Sequence, residues 1–162
     1  MNTLIAKKVG MTQIFDENSA ALGVTVLDVS DCRIVQVKSE DKDGYDAEAT
    51  VSPKGDKIVF TSIRSGDLEL YTCNIDGSNL KQVTNQLGYD GGAFFSNDGK
   101  KLVFRSSRPK TDEEISEYKD LLSRGLVQPT EMEIYICNVD GSDLKQVTNL
   151  GKANWSPFFH PS

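Results

Sequence analysis

The 162-residue chain reads as a mainly β protein carrying one inserted helix. Three observations predict this. A cassette is written twice, residues 67–85 returning as residues 131–149 with substitutions that mostly keep size and polarity. A shorter piece upstream of each copy, residues 52–62 and 96–106, is shared as well. Apolar and polar residues alternate between turn signals such as Ser52-Pro-Lys-Gly55 and Asp76-Gly77, the pattern of half-buried strands joined by tight turns. Self-similarity of this kind marks stacked units that cannot bury their apolar faces alone.

Composition bounds the function. Hydrophobic residues at 38%, charged residues at 26% and 13 glycines describe a globular chain rich in turns. A net charge of −6 repels phosphate backbones and anionic membrane surfaces, which argues against nucleic acid and membrane as partners. The opening residues meet charge at Lys7 and hold no signal-peptide pattern, and no later apolar run approaches a membrane span, so a cytoplasmic setting is expected. Cys32, Cys73 and Cys137 have no paired spacing, and reduced, buried thiols are expected.

Taken in order, Leu4, Ile5, Val9, Met11, Ile14 and Phe15 alternate loosely with Lys7, Lys8, Thr12 and Gln13, and residues 16–19 make a turn. Residues 23–28 and 33–38 are two further period-two runs, giving three strands before a charged loop at 41–45, the best candidate for a boundary. The string Leu4-Ile-Ala-Lys-Lys-Val-Gly-Met-Thr-Gln-Ile-Phe-Asp16, with Val35-Gln-Val-Lys38 and Lys42-Asp-Gly-Tyr-Asp-Ala47, resembles the opening of the third large-subunit ribosomal protein family. Ala6 stands where that family usually has glycine, and the pattern stops after Ala47. The resemblance implies a β-barrel fragment over residues 1–47 whose Lys7, Lys8, Thr12 and Gln13 lie near RNA. Set against that role, residues 1–48 hold five basic and nine acidic residues, the reverse of a basic RNA-binding patch.

From residue 48 the pattern changes. Residues 49–51, 57–62, 68–74 and 80–83 make four short strands separated by turns, a propeller blade in outline. Residues 93–95, 101–106, 132–138 and 144–147 repeat them. In the insertion at 109–130, Thr111 and Glu114 form a capping box, Ile115, Tyr118, Leu121 and Leu122 fall at helical spacing, and Gly125 stands as the stop. Pro157-Phe-Phe-His-Pro-Ser162 aligns with Ala93-Phe-Phe-Ser-Asn-Asp98 at the 64-residue offset of the cassettes, so a third blade is expected to begin. The Ser52-Pro-Lys-Gly-Asp-Lys-Ile-Val-Phe60 motif and the Asp76-Gly-Ser-Asn-Leu-Lys-Gln-Val-Thr84 ending make residues 48–162 similar to the TolB-like propeller repeats, relatives of the WD repeats. Lys54 and Asn97 depart from the usual Pro-Asp of those repeats. That resemblance implies exported proteins that bind other proteins and share no catalytic residues.

The expected architecture is therefore about two four-stranded propeller-type blades and a partial third over 48–162, merged with a three-strand ribosomal barrel fragment over 1–47. Unclosed blade flanks should be apolar and exposed, open to a second copy or to another protein. Candidate partner contacts are Ile115, Tyr118 and Leu122 on the helix, with Trp155, Phe158 and Phe159 beyond it. No catalytic, cofactor or metal site is expected. His160 is the single histidine, no phosphate-binding glycine loop occurs, and Glu69, Glu133, Asp112, Glu113 and Glu114 read as solvated strand and helix faces. Asp76 and Asp140 read as turn residues. A fused or engineered β chimera without an evolved ligand is the first expectation, a TolB-like protein-binding module the second, and ribosomal RNA binding the third.

Overall fold

The computed structural model describes residues 7–28, 44–128 and 131–161. Two compact units, Met1–Val35 and Gln36–Ser162, divide the chain, and the described residues form several antiparallel sheets with one helix.

In the first unit β1 (Lys7–Phe15) pairs with β2 (Ala21–Asp28) in an antiparallel hairpin, with a register shift between Lys8 and Gly10. Its turn is closed by Asp16, whose Oδ1 accepts from the Asn18 and Ala20 N–H groups at 2.9 Å, an Asx turn that frees Ser19 to take φ 62°. The third strand expected at 33–38, and Cys32, lie outside the described residues.

In the second unit β3 (Asp46–Val51), β4 (Lys57–Ser62), β5 (Glu69–Asn74) and β6 (Lys81–Gln82) form one four-stranded sheet in sequential order. A second sheet is built the same way from β7 (Asp90–Phe95), β8 (Lys101–Ser106), β9 (Glu133–Asn138) and β10 (Lys145–Gln146). The expected 47/48 boundary falls inside β3, where Asp46 and Ala47 already pair with Ser62 and Thr61. The Ser52 turn closes through Gly55 N–H to the Ser52 carbonyl at 2.9 Å, and its copy closes through Gly99 to Ser96 at 2.8 Å, both glycines at φ 71°. Asp76 and Asp140 each accept from the backbone and hydroxyl of the serine two residues on, as turn residues do.

The outer strands are shorter than the alternation suggests. Leu70 N–H donates to the Thr84 hydroxyl at 2.9 Å and Ile134 N–H to the Thr148 hydroxyl at 2.8 Å. A side chain takes over where the next backbone rung would stand.

The main core lies between the two sheets. Val59 and Leu70 of the first meet Ala93, Phe95, Leu102, Phe104 and Cys137 of the second. Cys73 and Cys137 are buried free thiols, and burial pushes Cys137 up to about 12. The opposite face of the first sheet departs from the expected bare apolar flank, since Ile58, Tyr71 and Cys73 are buried. Part of the reason is Arg64, whose guanidinium lies 5.1 Å from the Phe60 ring centre and 4.9 Å from that of Tyr71.

Helix α1 (Asp112–Ser123) starts at a complete capping box between Thr111 and Glu114. It stops in a Schellman arrangement, with Leu126 N–H to the Leu121 carbonyl and Gly125 N–H to that of Leu122, both 2.9 Å, around Gly125 at φ 71°. Its Tyr118 and Leu122 pack on a second cluster made by Leu68, Tyr89 and Met132. Thr111→Ala should cost about 1 kcal/mol, read as a lower urea midpoint at unchanged slope. Among the described residues no helix is long and apolar enough to cross a membrane.

The third repeat is a partial correction. Residues 153–161 carry no strand, because no neighbouring strand among the described residues takes up their backbone groups. Its backbone nevertheless shares two features with the sheets: Asn154 N–H donates to the Met132 carbonyl at 3.0 Å, as Asp90 N–H does to Leu68 at 2.8 Å. Ser156 (φ 52°) takes the left-handed kink that Glu48 (φ 56°) and Gly92 (φ 60°) take at the same place in the two sheets.

Candidate functional site

The inner strands carry a polar network, buried to different depths, that is repeated with variation. Asp46 pairs with Arg64 at 2.9 Å in the first sheet, and Asp90 with Arg108 at 2.8 Å in the second. The same left-handed kink turns Glu48 toward the second sheet, where it accepts from Tyr89 at 2.5 Å, from the Gly92 N–H at 2.8 Å and from Arg105. Arg105 also donates to the Tyr89 hydroxyl at 2.7 Å and lies 4.5 Å from the Trp155 ring centre. Burial pushes the Glu48 carboxyl up, but the bonds from Tyr89 and Arg105, the Arg105 charge and the Gly92 N–H outweigh it and hold it below the usual carboxylate range. Space explains the glycines here, since a Cβ on Gly91 would lie 2.1 Å from the Tyr89 hydroxyl and one on Gly92 2.0 Å from Arg105.

Glu69 and Glu133 overturn the reading of solvated faces: both are buried, Glu69 with 2% of its surface exposed. Glu133 is tolerated because local donors replace water, whereas one Glu69 oxygen is buried without a donor. Glu133 accepts from the Gly151 N–H at 2.6 Å, from the Thr148 hydroxyl and from the Asn154 amide at 3.4 Å, and the Thr148 bond leads the effects that hold its carboxyl low. At the Asn154 position the first repeat has Asp90, which cannot donate when ionised. Burial, with Asp90 and Asp67 adding negative charge, pushes Glu69 up to about 8. Where the other repeat has an amide, this one has a second acid, and burial favours the protonated form of Glu69 beside it. Asp112, Glu113 and Glu114 are exposed in the first turn of α1, as expected.

The outer face of the second sheet is apolar as well as the inner one. Ile134 and Ile136 are half-buried, Val147 is 60% exposed, and Phe158, 67% exposed, has its ring 4.0 Å from that of Phe94. Of the predicted contact residues, Trp155 and Phe158 are exposed and Phe159 is half-buried. Ile115, Tyr118 and Leu122 are half-buried on α1, and the Tyr118 hydroxyl is bonded to Asp67. Lys7, Lys8, Thr12 and Gln13 are all exposed on β1. Sequence reasoning missed Glu48, Tyr89, Asp90, Arg105 and Arg108. The signal was present in the 44-residue spacing of Tyr45 with Tyr89, Asp46 with Asp90 and Arg64 with Arg108. Among the described residues no group of three or more potential metal ligands occurs.

No protein-family model matches the chain. Large ribosomal subunit protein uL3 of Nitrosomonas europaea is 61% identical over 63 residues, which is 39% of this chain and 29% of that protein. The uL3 of Thermomicrobium roseum is 54% identical over 44 residues, 27% of this chain and 21% of that one. The chain thus spans less than a third of the length of these curated relatives. Likeness to a ribosomal protein gives no support to the charge-based argument against nucleic acid. Among solved structures, one assigned to TolB from Agrobacterium tumefaciens superposes with a TM-score of 0.56 at 16% identity, covering 94% of this chain and 53% of that one. The chain is a chimera by likeness, joining a segment similar to a large-subunit ribosomal protein with a β body similar in fold to TolB.

Proposed function

We propose that the chain is a non-catalytic, cytoplasmic protein-binding module in which the two four-stranded sheets are consecutive propeller-type blades and residues 153–161 open a third. The outer face of the second sheet is the binding surface, and its occupant is a further β-sheet of the same kind supplied by another protein. One observation carries this reading. Leu70 and Val83 of the first sheet are covered by the second, whereas their counterparts 64 residues on, Ile134 and Val147, are half-buried and exposed. Buried Thr72 is replaced there by Ile136, which extends the apolar face. A ring of copies stacked head to tail is disfavoured, because the first sheet's opposite face is already buried at Ile58, Tyr71 and Cys73.

The test is capture with the intact chain and with an Ile136→Lys, Val147→Glu variant, followed by reconstitution with the purified, identified partner. A β-sheet protein retained by the parent and lost by the variant is expected; equal retention by both would discard the surface. A dimer seen by light scattering that the variant abolishes would reassign the face to self-association.

A second reading rests on the uL3 likeness together with the exposure of Lys7, Lys8, Thr12 and Gln13 on one strand. It places the hairpin against ribosomal RNA. Salt-sensitive retention of ribosomal RNA that Lys7→Gln and Lys8→Gln weaken supports it, and no retention at low salt removes it.

A further inference from the structure

Equivalent lysines are handled differently in the two repeats. In the second, Lys101 and Lys145 share one carboxylate, that of Asp143, at 3.9 and 2.9 Å. The corresponding residues of the first are Lys57, Lys81 and Asn79. Asn79 and Asp143 both sit at φ 55°, so the backbone is the same and the countercharge is gone. Among the described residues no carboxylate lies within ion-pair distance of Lys57 or Lys81, and the second sheet brings in Lys100, also unpaired.

These four residues line a cleft of about 430 Å³ between the outer ends of the two sheets, with Asn138 and Asp140 on the far wall. That volume falls within the range of small-molecule sites. The lining holds three lysines and one carboxylate, that of Asp140, which feels the Lys81 charge. Asp140 is engaged by the Ser142 N–H and hydroxyl at 3.0 and 2.6 Å. Asp56 and Asp98 lie outside the lining, bonded in their turns to the Ser52 hydroxyl at 2.7 Å and the Ser96 hydroxyl at 2.6 Å, and they compensate Lys57 and Lys100 only in part, without an ion pair. The net charge of −6 repels anions at a distance, so local excess cation here must come from this arrangement.

We infer that this cleft is a binding site for a small anion of the diphosphate class, with Lys57, Lys81 and Lys100 supplying charge and the Asn79 amide a hydrogen-bond donor. A single carboxylate would leave most of the ammonium charge uncompensated, whereas two linked phosphates answer it with several acceptor oxygens.

Pyrophosphate titrated into the full chain at low ionic strength, followed by backbone amide shifts, is the direct test. Saturable shifts at Lys57, residues 79–81 and Lys100 are expected, with a Kd of order 0.1–1 mM. Lys81→Gln and Lys100→Gln should each weaken binding roughly fivefold, and rising salt should do the same to the parent. Asn79→Asp is the sharpest variant. It restores the internal countercharge found at 143, so it should weaken pyrophosphate binding at least about tenfold while leaving the melting curve in place. Conversely, Asp143→Asn should create a second saturable site at Lys101 and Lys145. No saturable shift in the parent, or an Asn79→Asp chain that binds like the parent, overturns the inference. So does a short RNA that binds here in an Asn79-dependent way while pyrophosphate is inert.

Discussion

Arg108→Ala is expected to destabilise the chain by about 3 kcal/mol, whereas Arg64→Ala should cost about 1 kcal/mol. The two arginines occupy the same position in successive repeats and each pairs with the aspartate that opens its sheet. Burial separates them. Asp90 has no exposed side-chain surface and Arg108 has 15%, against 13% and 29% for Asp46 and Arg64. Removing Arg108 leaves the fully buried Asp90 carboxylate without its countercharge, and burial already pushes that carboxyl up. Removing Arg64 exposes Asp46 to solvent that can take over the charge, and the loss is mainly the stacking on Phe60 and Tyr71. Urea unfolding of both variants at pH 7 measures the difference. Equal losses would mean that the buried pair is not distinguished from the outer one.

The second large effect is on pH dependence. Glu69 is pushed from 4.5 to about 8 by burial first and by Asp90 and Asp67 second, while the Thr84 hydroxyl opposes them. The groups facing the pair are Asp67, whose carboxylate accepts from Tyr118, and Arg108, Ser106 and Thr84 around Asp90. Because the folded value lies above the unfolded one, the native chain holds a proton that the unfolded chain releases. This contribution is intact below about pH 4.5, declines as pH rises toward 8, and is fully lost above it, at up to about 1.4 kcal/mol per pH unit. Glu69→Gln keeps the shape and supplies a permanent N–H toward Asp90, as Asn154 does toward Glu133 in the other repeat. The variant should flatten the fall in urea midpoint between pH 5 and 8 and be the more stable protein at pH 8. A slope identical to that of the parent would place the proton elsewhere.

The strands were legible because the sequence states them twice, so that Lys57–Ser62 and Lys101–Ser106 confirm one another. The helix was legible from its cap: Thr111, Glu114 and Gly125 act locally and need no tertiary information. The first strand of each sheet was read too short, since the kinks at Glu48 and Gly92 break the alternation of period two where they insert a residue. The polar network was hidden for a different reason. An acid in an alternating strand signals solvent by default, and what makes Glu69 and Glu133 internal is the company of Thr84, Asp90, Thr148 and Asn154, all distant in sequence. The repeat offset could have found it, since an acid and an arginine that recur together across 44 residues are being kept for each other.

The threonine hydroxyls that end β6 and β10 reach beyond their own hydrogen bonds. A sheet margin normally offers a ladder of free amides on which a foreign segment can lengthen the array, and fibre growth starts from such templates. Here each margin is two residues long, bears a lysine, and terminates in a side chain that occupies the next donor. The second sheet can therefore leave a greasy face unsealed without its outer rim also recruiting misfolded chains.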